Sequence, residues 1–202
     1  MSKGLAWLLG LAALFALAAF VMTSFAPSQQ RHSGAPPQYA FIGDSLTAWT
    51  DWGPRLGGAA VVNLAVAGAT IDMIARQAAA VGAYRAPVVL VAAGTNDIVQ
   101  FGRSAARIRQ DYEALLRRCP PNATLVVTLI PYTSERALNA SIAEANVHVR
   151  QLAEQRGARI VDLNPLLAPA GVLAPEFTTD GLHFSDRGYD LWADEIRRVL
   201  AT

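Results

Sequence analysis

The feature that most constrains the fold is a regular alternation, beginning near Gln38, between short apolar runs and longer stretches of helical periodicity. The runs with the length and composition of strands are Tyr39–Ile42, Ala60–Leu64, Val88–Ala92, Leu125–Leu129 and Arg159–Val161. The stretches that repeat apolar residues at three- and four-residue steps, and so predict helices, are Ile71–Val81, Ala105–Arg118, Ala137–Gln155 and Arg187–Leu200. Such alternation favours parallel strands joined by right-handed crossovers, with helices on both faces of one sheet. The sequence therefore predicts a three-layer α/β/α sandwich of about five parallel strands.

The beginning of the chain carries a different signal. Residues 4–22 are apolar and uncharged, and as a helix these 19 residues would extend roughly 28 Å, close to the ~30 Å hydrocarbon core of a bilayer. We therefore expect one N-terminal apolar helix, with residues 1–23 a signal anchor or signal peptide. Pro27 follows the small-x-small cleavage candidate, which favours the uncleaved anchor. Lys3 is the only charge before the segment, so the positive-inside rule puts the following domain in the periplasm or extracellular space, membrane-anchored, or secreted if cleavage occurs.

Residues 24–37 contain three prolines and no apolar periodicity, which predicts a flexible linker before a single domain over residues 38–202. Without residues 1–37, the chain has 15 Lys and Arg against 16 Asp and Glu, a net charge of −1. This balance lacks the basic surface that neutralises phosphates, so nucleic acid is not an expected partner. The single cysteine, Cys119, cannot form an intramolecular disulfide or a Cys-rich metal site. The sequence leaves the oligomeric state open.

Polar clusters stand where strands are predicted to end. Gly43-Asp44-Ser45-Leu46 follows the first strand, residues 63–68 the second, and Gly94-Thr95-Asn96-Asp97 the third. A fourth cluster, Asp180-Gly181-Leu182-His183, precedes the last helix. Because open parallel sheets bind ligands just beyond the carboxyl ends of their strands, we expect the four clusters to meet at one rim.

The residue types in these clusters suit nucleophilic catalysis. A serine hydroxyl is a poor nucleophile until a base takes its proton, and histidine does this best when a carboxylate fixes its tautomer. Ser45, His183 and Asp180 supply these three groups. A tetrahedral intermediate also needs hydrogen-bond donors aimed at its oxyanion. Gly68, Asn96 and the backbone N–H of Ser45 are the candidate donors.

Together the clusters resemble the four sequence blocks of the GDSL or SGNH hydrolases, a family named for its Ser, Gly, Asn and His. The resemblance spans roughly residues 39–200. It implies a flavodoxin-like α/β/α fold and ester hydrolysis without a metal or other cofactor. It also implies that Ser45 is the nucleophile, His183 the base and Asp180 the residue that orients it. The Ser45 N–H, the Gly68 N–H and the Asn96 side chain would form the oxyanion hole.

Other interpretations of the same residues remain. Ser45 could only cap a helix, Gly68 could only serve a turn, and Asp180 and His183 could only make a local loop hydrogen bond. An α/β-hydrolase elbow is disfavoured because Thr47 stands where G-x-S-x-G needs its second glycine. A two-metal site is disfavoured because such sites draw on several histidines, and only His183 lies near a candidate loop.

Apolar and aromatic residues lie in or beside the rim segments: Trp49, Trp52, Ile130, Pro131, Tyr132, Phe177 and Phe184. Of these, Trp49, Pro131, Tyr132 and Phe184 are the predicted substrate contacts, lining an acyl groove or a platform for sugar rings. The leading hypothesis is a membrane-anchored serine esterase that hydrolyses small acyl esters, either O-acetyl carbohydrate or lysophospholipid. The alternatives are an acyltransferase on the same triad, with a sugar hydroxyl capturing the acyl group, and a non-catalytic carbohydrate-binding module.

Overall fold

The computed structural model describes residues 37–201. The predicted N-terminal apolar helix, the signal anchor and most of the linker lie outside these residues. Within the described part of the chain, no helix is both long and apolar enough to cross a membrane.

A single parallel sheet forms the centre of the described residues. Its strands are β1 (Tyr39–Ile42), β2 (Val61–Asn63), β3 (Val88–Ala92), β4 (Thr124–Thr128) and β5 (Arg159–Val161). They run in the order β2-β1-β3-β4-β5, and every neighbouring pair is parallel. The predicted number and direction of strands are confirmed, and the order is the flavodoxin-like one that the resemblance implied.

Helices connect the strands. They are α1 (Ser45–Ala48), α2 (Trp52–Arg55), α3 (Ile71–Val81), α4 (Thr95–Val99), α5 (Ala105–Arg118), α6 (Arg136–Gln155), α7 (Asn164–Leu167) and α8 (Asp186–Ala201). Short 3₁₀ turns cover Gly82–Tyr84 and Pro175–Phe177. The four predicted helices, now α3, α5, α6 and α8, are confirmed to within one residue at each end. The sequence analysis did not predict the short helices.

The sheet separates two apolar cores because successive strand residues point to opposite faces. In β1, Ala40 and Ile42 join the aliphatic core under α3, α5 and α6. Phe41, between them, joins the core under α1, α2, α7 and α8. That second core contains an aromatic cluster made of Phe41, Trp52, Phe184, Tyr189 and Trp192. The three-layer prediction is confirmed.

The strand order places a crevice at the carboxyl ends of β1 and β3, where the chain changes direction across the sheet. Gly43 follows β1 there, and its N–H donates to Gln77 Oε1 at 2.8 Å, while Gln77 Nε2 donates back to Gly43 O at 3.1 Å. A Cβ on Gly43 would collide with Thr47 Oγ1 and lie 2.9 Å from Ala92 O. Only glycine therefore lets the chain turn this tightly from β1 into α1.

Candidate active site

The turn after β1 presents Ser45 at the first position of α1. Asp44 is the N-cap residue, and its Oδ1 accepts the Leu46 N–H at 3.0 Å. Ser45 is not the cap, so the interpretation that it serves only to cap a helix is wrong. Its hydroxyl is left to contact another part of the chain.

That hydroxyl lies 2.9 Å from His183 Nε2, although the two residues are 138 positions apart. On the other side of the ring, His183 Nδ1 lies 2.6 Å from Asp180 Oδ2. The Asp180 carboxylate can only accept, so the ring proton is on Nδ1 and Nε2 accepts from the Ser45 hydroxyl. The structure thus brings the three predicted residues into one chain of hydrogen bonds, which goes beyond a local loop contact.

Asp180 holds its charge while facing solvent. Its Oδ1 accepts the N–H groups of Leu182 at 2.9 Å and of His183 at 2.7 Å. Partial burial pushes the pKa of Asp180 upward, but the hydrogen bonds from His183 and Leu182 outweigh it, and the pKa lies below its usual range. The Asp180 side chain is 51% exposed and that of His183 is 16% exposed. The carboxylate therefore remains an ionised acceptor that water partly screens.

The loop that carries His183 contains no helix or strand beyond one isolated bridge between Thr178 and Phe184, and both backbone and side-chain hydrogen bonds hold it. Thr178 Oγ1 donates to His183 O and accepts the Gly181 N–H, both at 2.8 Å. The Ser134 N–H donates to Gly181 O at 2.8 Å, which ties the loop to the segment after β4. Sequence analysis missed Thr178 and Ser134; the signal available for Thr178 was a hydroxyl two residues before the D-x-x-H cluster.

The second cluster turns back toward the crevice at Gly68. The Val66 N–H donates to Gly43 O and the Ala69 N–H donates to Val66 O, both at 3.1 Å. Gly68 has φ of +75°, a conformation that favours glycine. Its N–H donates no hydrogen bond to another of residues 37–201, and the same is true of the Ser45 N–H. The turn role of Gly68 and a donor role are therefore compatible.

Asn96 is buried in α4, directly beside this turn. One of its Nδ2 hydrogens is donated to Ala69 O at 3.0 Å, and its Oδ1 accepts from Gln100 Nε2 at 2.6 Å. These two bonds fix the orientation of the amide and leave its second N–H without an acceptor among the described residues. The three predicted oxyanion donors thus each retain a hydrogen that no described residue accepts.

A buried ionic cluster holds the second and third clusters together, and sequence analysis missed it. Asp97 Oδ2 accepts the Ile71 N–H at 3.0 Å, which joins α4 to the start of α3. Arg103 lies 2.7 Å from Asp97 Oδ1 and 3.0 Å from Asp111 Oδ2. Burial raises the pKa of Asp97, against the opposing effects of the Ile71 N–H and the Arg103 guanidinium. Asn96 is thus anchored through its neighbour.

Asp44 is almost fully buried behind the nucleophile, with 1% of its surface exposed. Burial raises the pKa of Asp44 to about 7, although the Leu46 N–H opposes that shift, and the nearby charge of Asp97 adds to it. A carboxyl group with this pKa changes between its neutral and ionised forms near neutral pH.

The four predicted substrate contacts have different environments. Trp49 is 45% exposed, and its ring stacks on that of His183 with centroids 4.0 Å apart and an angle of 28° between the planes. Tyr132 is partly buried, and its N–H donates to Asn164 Oδ1 at 2.7 Å. Pro131 and Phe184 are buried. Phe184 lies in the aromatic cluster of the core because it follows His183 in an extended segment, where consecutive side chains point to opposite sides.

Among residues 37–201, His, Cys, Asp and Glu side chains do not gather in a group of three or more suited to a metal ion.

Comparisons with known proteins give one family match and several likenesses of fold. The model of the GDSL-like Lipase/Acylhydrolase family matches residues 41–191. A candidate platelet activating factor protein of Streptococcus pneumonia superposes with a TM-score of 0.74 and 24% identity, over 98% of this chain and 100% of that chain. A GDSL-like lipase of Bacteroides thetaiotaomicron superposes with a TM-score of 0.72 and 17% identity, over 91% of this chain and 95% of that chain. A lipase/acylhydrolase of Enterococcus faecalis superposes with a TM-score of 0.68 and 20% identity, over 79% of this chain and 93% of that chain. At these identities the likeness to the solved structures is one of fold.

A shorter match joins the chain to N-acylneuraminate cytidylyltransferases of Streptococcus agalactiae. The serotype V protein is 29% identical over 119 residues, which are 54% of this chain and 29% of that protein. The serotype III protein gives the same figures. The chain spans less than a third of these relatives, so the activity in their name describes much longer proteins.

Proposed function

The chain belongs to the GDSL-like lipase/acylhydrolase family and is a hydrolase, and from that premise we propose that it is a serine esterase acting on small acyl esters through an acyl-enzyme. Ser45 is the nucleophile, His183 the general base and Asp180 the residue that orients the base. The observation that carries the proposal is the continuous chain of hydrogen bonds from Ser45 Oγ through the His183 ring to Asp180.

In the acylation step, Ser45 Oγ bonds to the ester carbonyl carbon while His183 Nε2 takes the hydroxyl proton. The carbonyl electrons move to oxygen, and the imidazolium is stabilised by Asp180. When the bond to the alcohol oxygen breaks, His183 gives its proton to that oxygen and the alcohol leaves. Ser45 then carries the acyl group as an ester. Water attacks this ester in the same way, which releases the acid and restores the Ser45 hydroxyl.

The oxyanion formed in both steps is received by the Ser45 N–H, the Gly68 N–H and the free Nδ2 hydrogen of Asn96. Support comes from the fact that no described residue accepts these hydrogens. Donors fixed before the reaction stabilise developing charge without reorganisation, and each typically contributes about 2.7–4 kcal/mol to the transition state.

For the substrate we propose O-acetyl groups on carbohydrate or the acyl chain of a lysophospholipid. The exposed indole of Trp49 beside the nucleophile offers a flat apolar surface on which a sugar ring or a short chain can lie. Hydrolysis is favoured over acyl transfer because the Asp180 side chain is 51% exposed, whereas transfer to a sugar hydroxyl requires a site that excludes water. A non-catalytic carbohydrate-binding role would leave the hydrogen-bonded Ser45–His183–Asp180 chain without a use.

We propose further that residues 1–23 hold this domain at a membrane, outside the cytoplasm. The support is the uninterrupted apolar length of residues 4–22. Membrane fractionation of the full chain tests this: full-length protein in the membrane fraction supports it, and a soluble product that begins near Pro27 contradicts it.

A fluorophosphonate probe tests the enzymatic proposal, because it reacts covalently only with an activated serine. We expect labelling of the full chain, complete loss of label in Ser45→Ala, and unchanged labelling in Ser141→Ala, an exposed serine on α6. Hydrolysis of p-nitrophenyl acetate should follow the same pattern. Product analysis with an added sugar acceptor then separates the free acid made by an esterase from the ester made by a transferase. Labelling of Ser45→Ala equal to that of the unmodified chain would contradict the proposal.

A further inference from the structure

We propose that Trp49 is a positioning residue for His183, supporting the face of the imidazole ring and its positive charge. This inference rests on the proposed function of His183 as the base. It changes the expectation for Trp49 from the sequence, which was contact with substrate alone.

The geometry places nucleophile and indole on one short helix. Trp49 follows the last residue of α1, and its N–H donates to Ser45 O at 3.1 Å. Residues four apart on a helical turn share one side. Ser45 therefore approaches the edge of the His183 ring while Trp49 covers its face at a centroid distance of 4.0 Å. A single turn of chain sets both contacts.

The hydrogen bonds of the ring explain why such a support is needed. Hydrogen bonds at ring nitrogens are directed along the plane of the ring, so the bonds at Nδ1 and Nε2 resist displacement within that plane better than tilting out of it. Asp180 is half-exposed, which leaves water free to compete for its oxygens. The Trp49 indole, whose plane lies at 28° to the imidazole, restrains this tilting, because a tilted imidazole would collide with the indole.

The indole also favours the charged form of the base. A cation over the face of an aromatic ring is attracted by the ring quadrupole, most strongly for tryptophan. His183 becomes an imidazolium as Ser45 attacks, so this attraction is stronger in the transition state than in the ground state. Interactions of that kind raise kcat and leave KM nearly unchanged.

The test compares Trp49→Leu, which removes the aromatic face, with Trp49→Phe, which keeps one. The indole is 45% exposed, so both variants are expected to fold, and thermal unfolding of the full chain checks this. For p-nitrophenyl acetate we expect kcat to fall about tenfold in Trp49→Leu, with a smaller change in KM, and Trp49→Phe to recover most of the loss in kcat. The acid limb of the pH–rate profile should move to lower pH in Trp49→Leu, because the imidazolium loses its aromatic partner.

The outcomes separate this inference from the proposed function. If the unmodified chain takes no fluorophosphonate label at Ser45, the esterase proposal fails. If Ser45 is labelled but Trp49→Leu keeps its kcat and its acid limb, the positioning role is refuted while the esterase proposal stands. A rise in KM at constant kcat would refute it too, and would make Trp49 a substrate contact only.

Discussion

The site has two halves, one with the nucleophile Ser45 and the oxyanion donors and the other with the base His183. Each half contains one aspartate, and the two aspartates lie in opposite environments. Asp44, behind the nucleophile, is 1% exposed and has its pKa raised to about 7 by burial. Asp180, behind the base, has a 51% exposed side chain. There burial is outweighed by hydrogen bonds from His183 and Leu182, and the pKa of Asp180 is lowered. Burial thus favours the neutral acid form of Asp44, whereas hydrogen bonds favour the ionised form of Asp180.

The backbone around each aspartate explains the contrast. Asp44 follows β1, an interior strand with β2 and β3 on its two sides, so helices and neighbouring strands cover it. Asp180 lies in a loop outside the sheet, which hydrogen bonds of Thr178, Thr179 and Ser134 hold in place. The nucleophile and its oxyanion donors lie in segments that follow strands of the sheet, whereas the acid–base pair depends on hydrogen bonds within one loop and to Ser134. Substitutions in the two halves should therefore differ in what they damage.

The largest effect is expected at the nucleophile itself. Ser45→Ala should lower kcat by about 10⁶-fold, since nothing else in the site can form the acyl-enzyme. Thermal stability should change little because the lost hydroxyl has one side-chain partner, His183. Ester hydrolysis and thermal unfolding, measured beside Ser141→Ala, check both parts. Residual turnover within tenfold of the unmodified chain would remove Ser45 from its role.

Asp180→Asn should cost less, about 10²–10⁴-fold in kcat. The amide can keep the bonds from the Leu182 and His183 N–H groups, but it permits the wrong tautomer of the ring. The expected loss is below that of Ser45→Ala because water already reaches this carboxylate. Steady-state kinetics against Ser185→Ala, a neighbouring loop substitution, measure it. A rate within threefold of the unmodified chain would show that Asp180 does not orient the base.

Asn96→Ala removes one oxyanion donor from the half of the site that contains the nucleophile. We expect kcat to fall by about 10²–10³-fold with KM nearly unchanged, since the donor acts on charge that develops only in the transition state. Gln100→Ala, which frees only the Asn96 Oδ1, is the matched variant and should lose less. If instead KM rises and kcat holds, Asn96 contacts the bound substrate and not the oxyanion.

The contrast between the halves also explains what the sequence could predict. The four long helices were located to within one residue because their apolar periods extend over 11 to 20 residues, and the strands because each is a short apolar run. The helix α1 has four residues, too few for a period, so its cap at Asp44 was not predicted. The meeting of Ser45, Asp180 and His183 could be predicted because these residue types stand in clusters that resemble the blocks of a known family, Ser45 after the first strand and the other two before the last helix.

Contacts between distant residues left no comparable signal. The ionic cluster of Asp97, Arg103 and Asp111 joins residues whose charges look like ordinary solvated ones in the sequence. Phe184 was expected at the cleft because it follows His183, and the alternation of an extended segment turns it into the core instead. Trp49 was predicted as a substrate contact, and its stacking on His183 was not predicted because it depends on two segments 134 residues apart meeting face to face.

The smallest expected effect is on the pH dependence of the free energy of unfolding. It compares the aspartates of the two halves directly. The pKa of Asp44 is raised in the fold from 3.8 to about 7, so its protonated form is favoured by folding. That contribution is complete below 3.8 and is lost as pH rises through about 7. Asp180 has a lowered pKa, so its contribution is present above 3.8 and is lost as pH falls through the lower value.

The two carboxyl groups should therefore give opposite pH trends when each is replaced by its amide. The asparagine in Asp44→Asn cannot ionise and keeps an oxygen for the Leu46 N–H. As pH rises from 5 to 8, the melting temperature of this variant should therefore increase relative to that of the unmodified chain, by roughly 2–4 °C for each kcal/mol recovered. Asp180→Asn should show a constant difference over that range and a smaller one below about pH 4. Thermal unfolding across this pH range measures both. Parallel curves for Asp44→Asn and the unmodified chain from pH 5 to 8 would mean that Asp44 does not change charge there, and the electrostatic contrast between the two halves would fail.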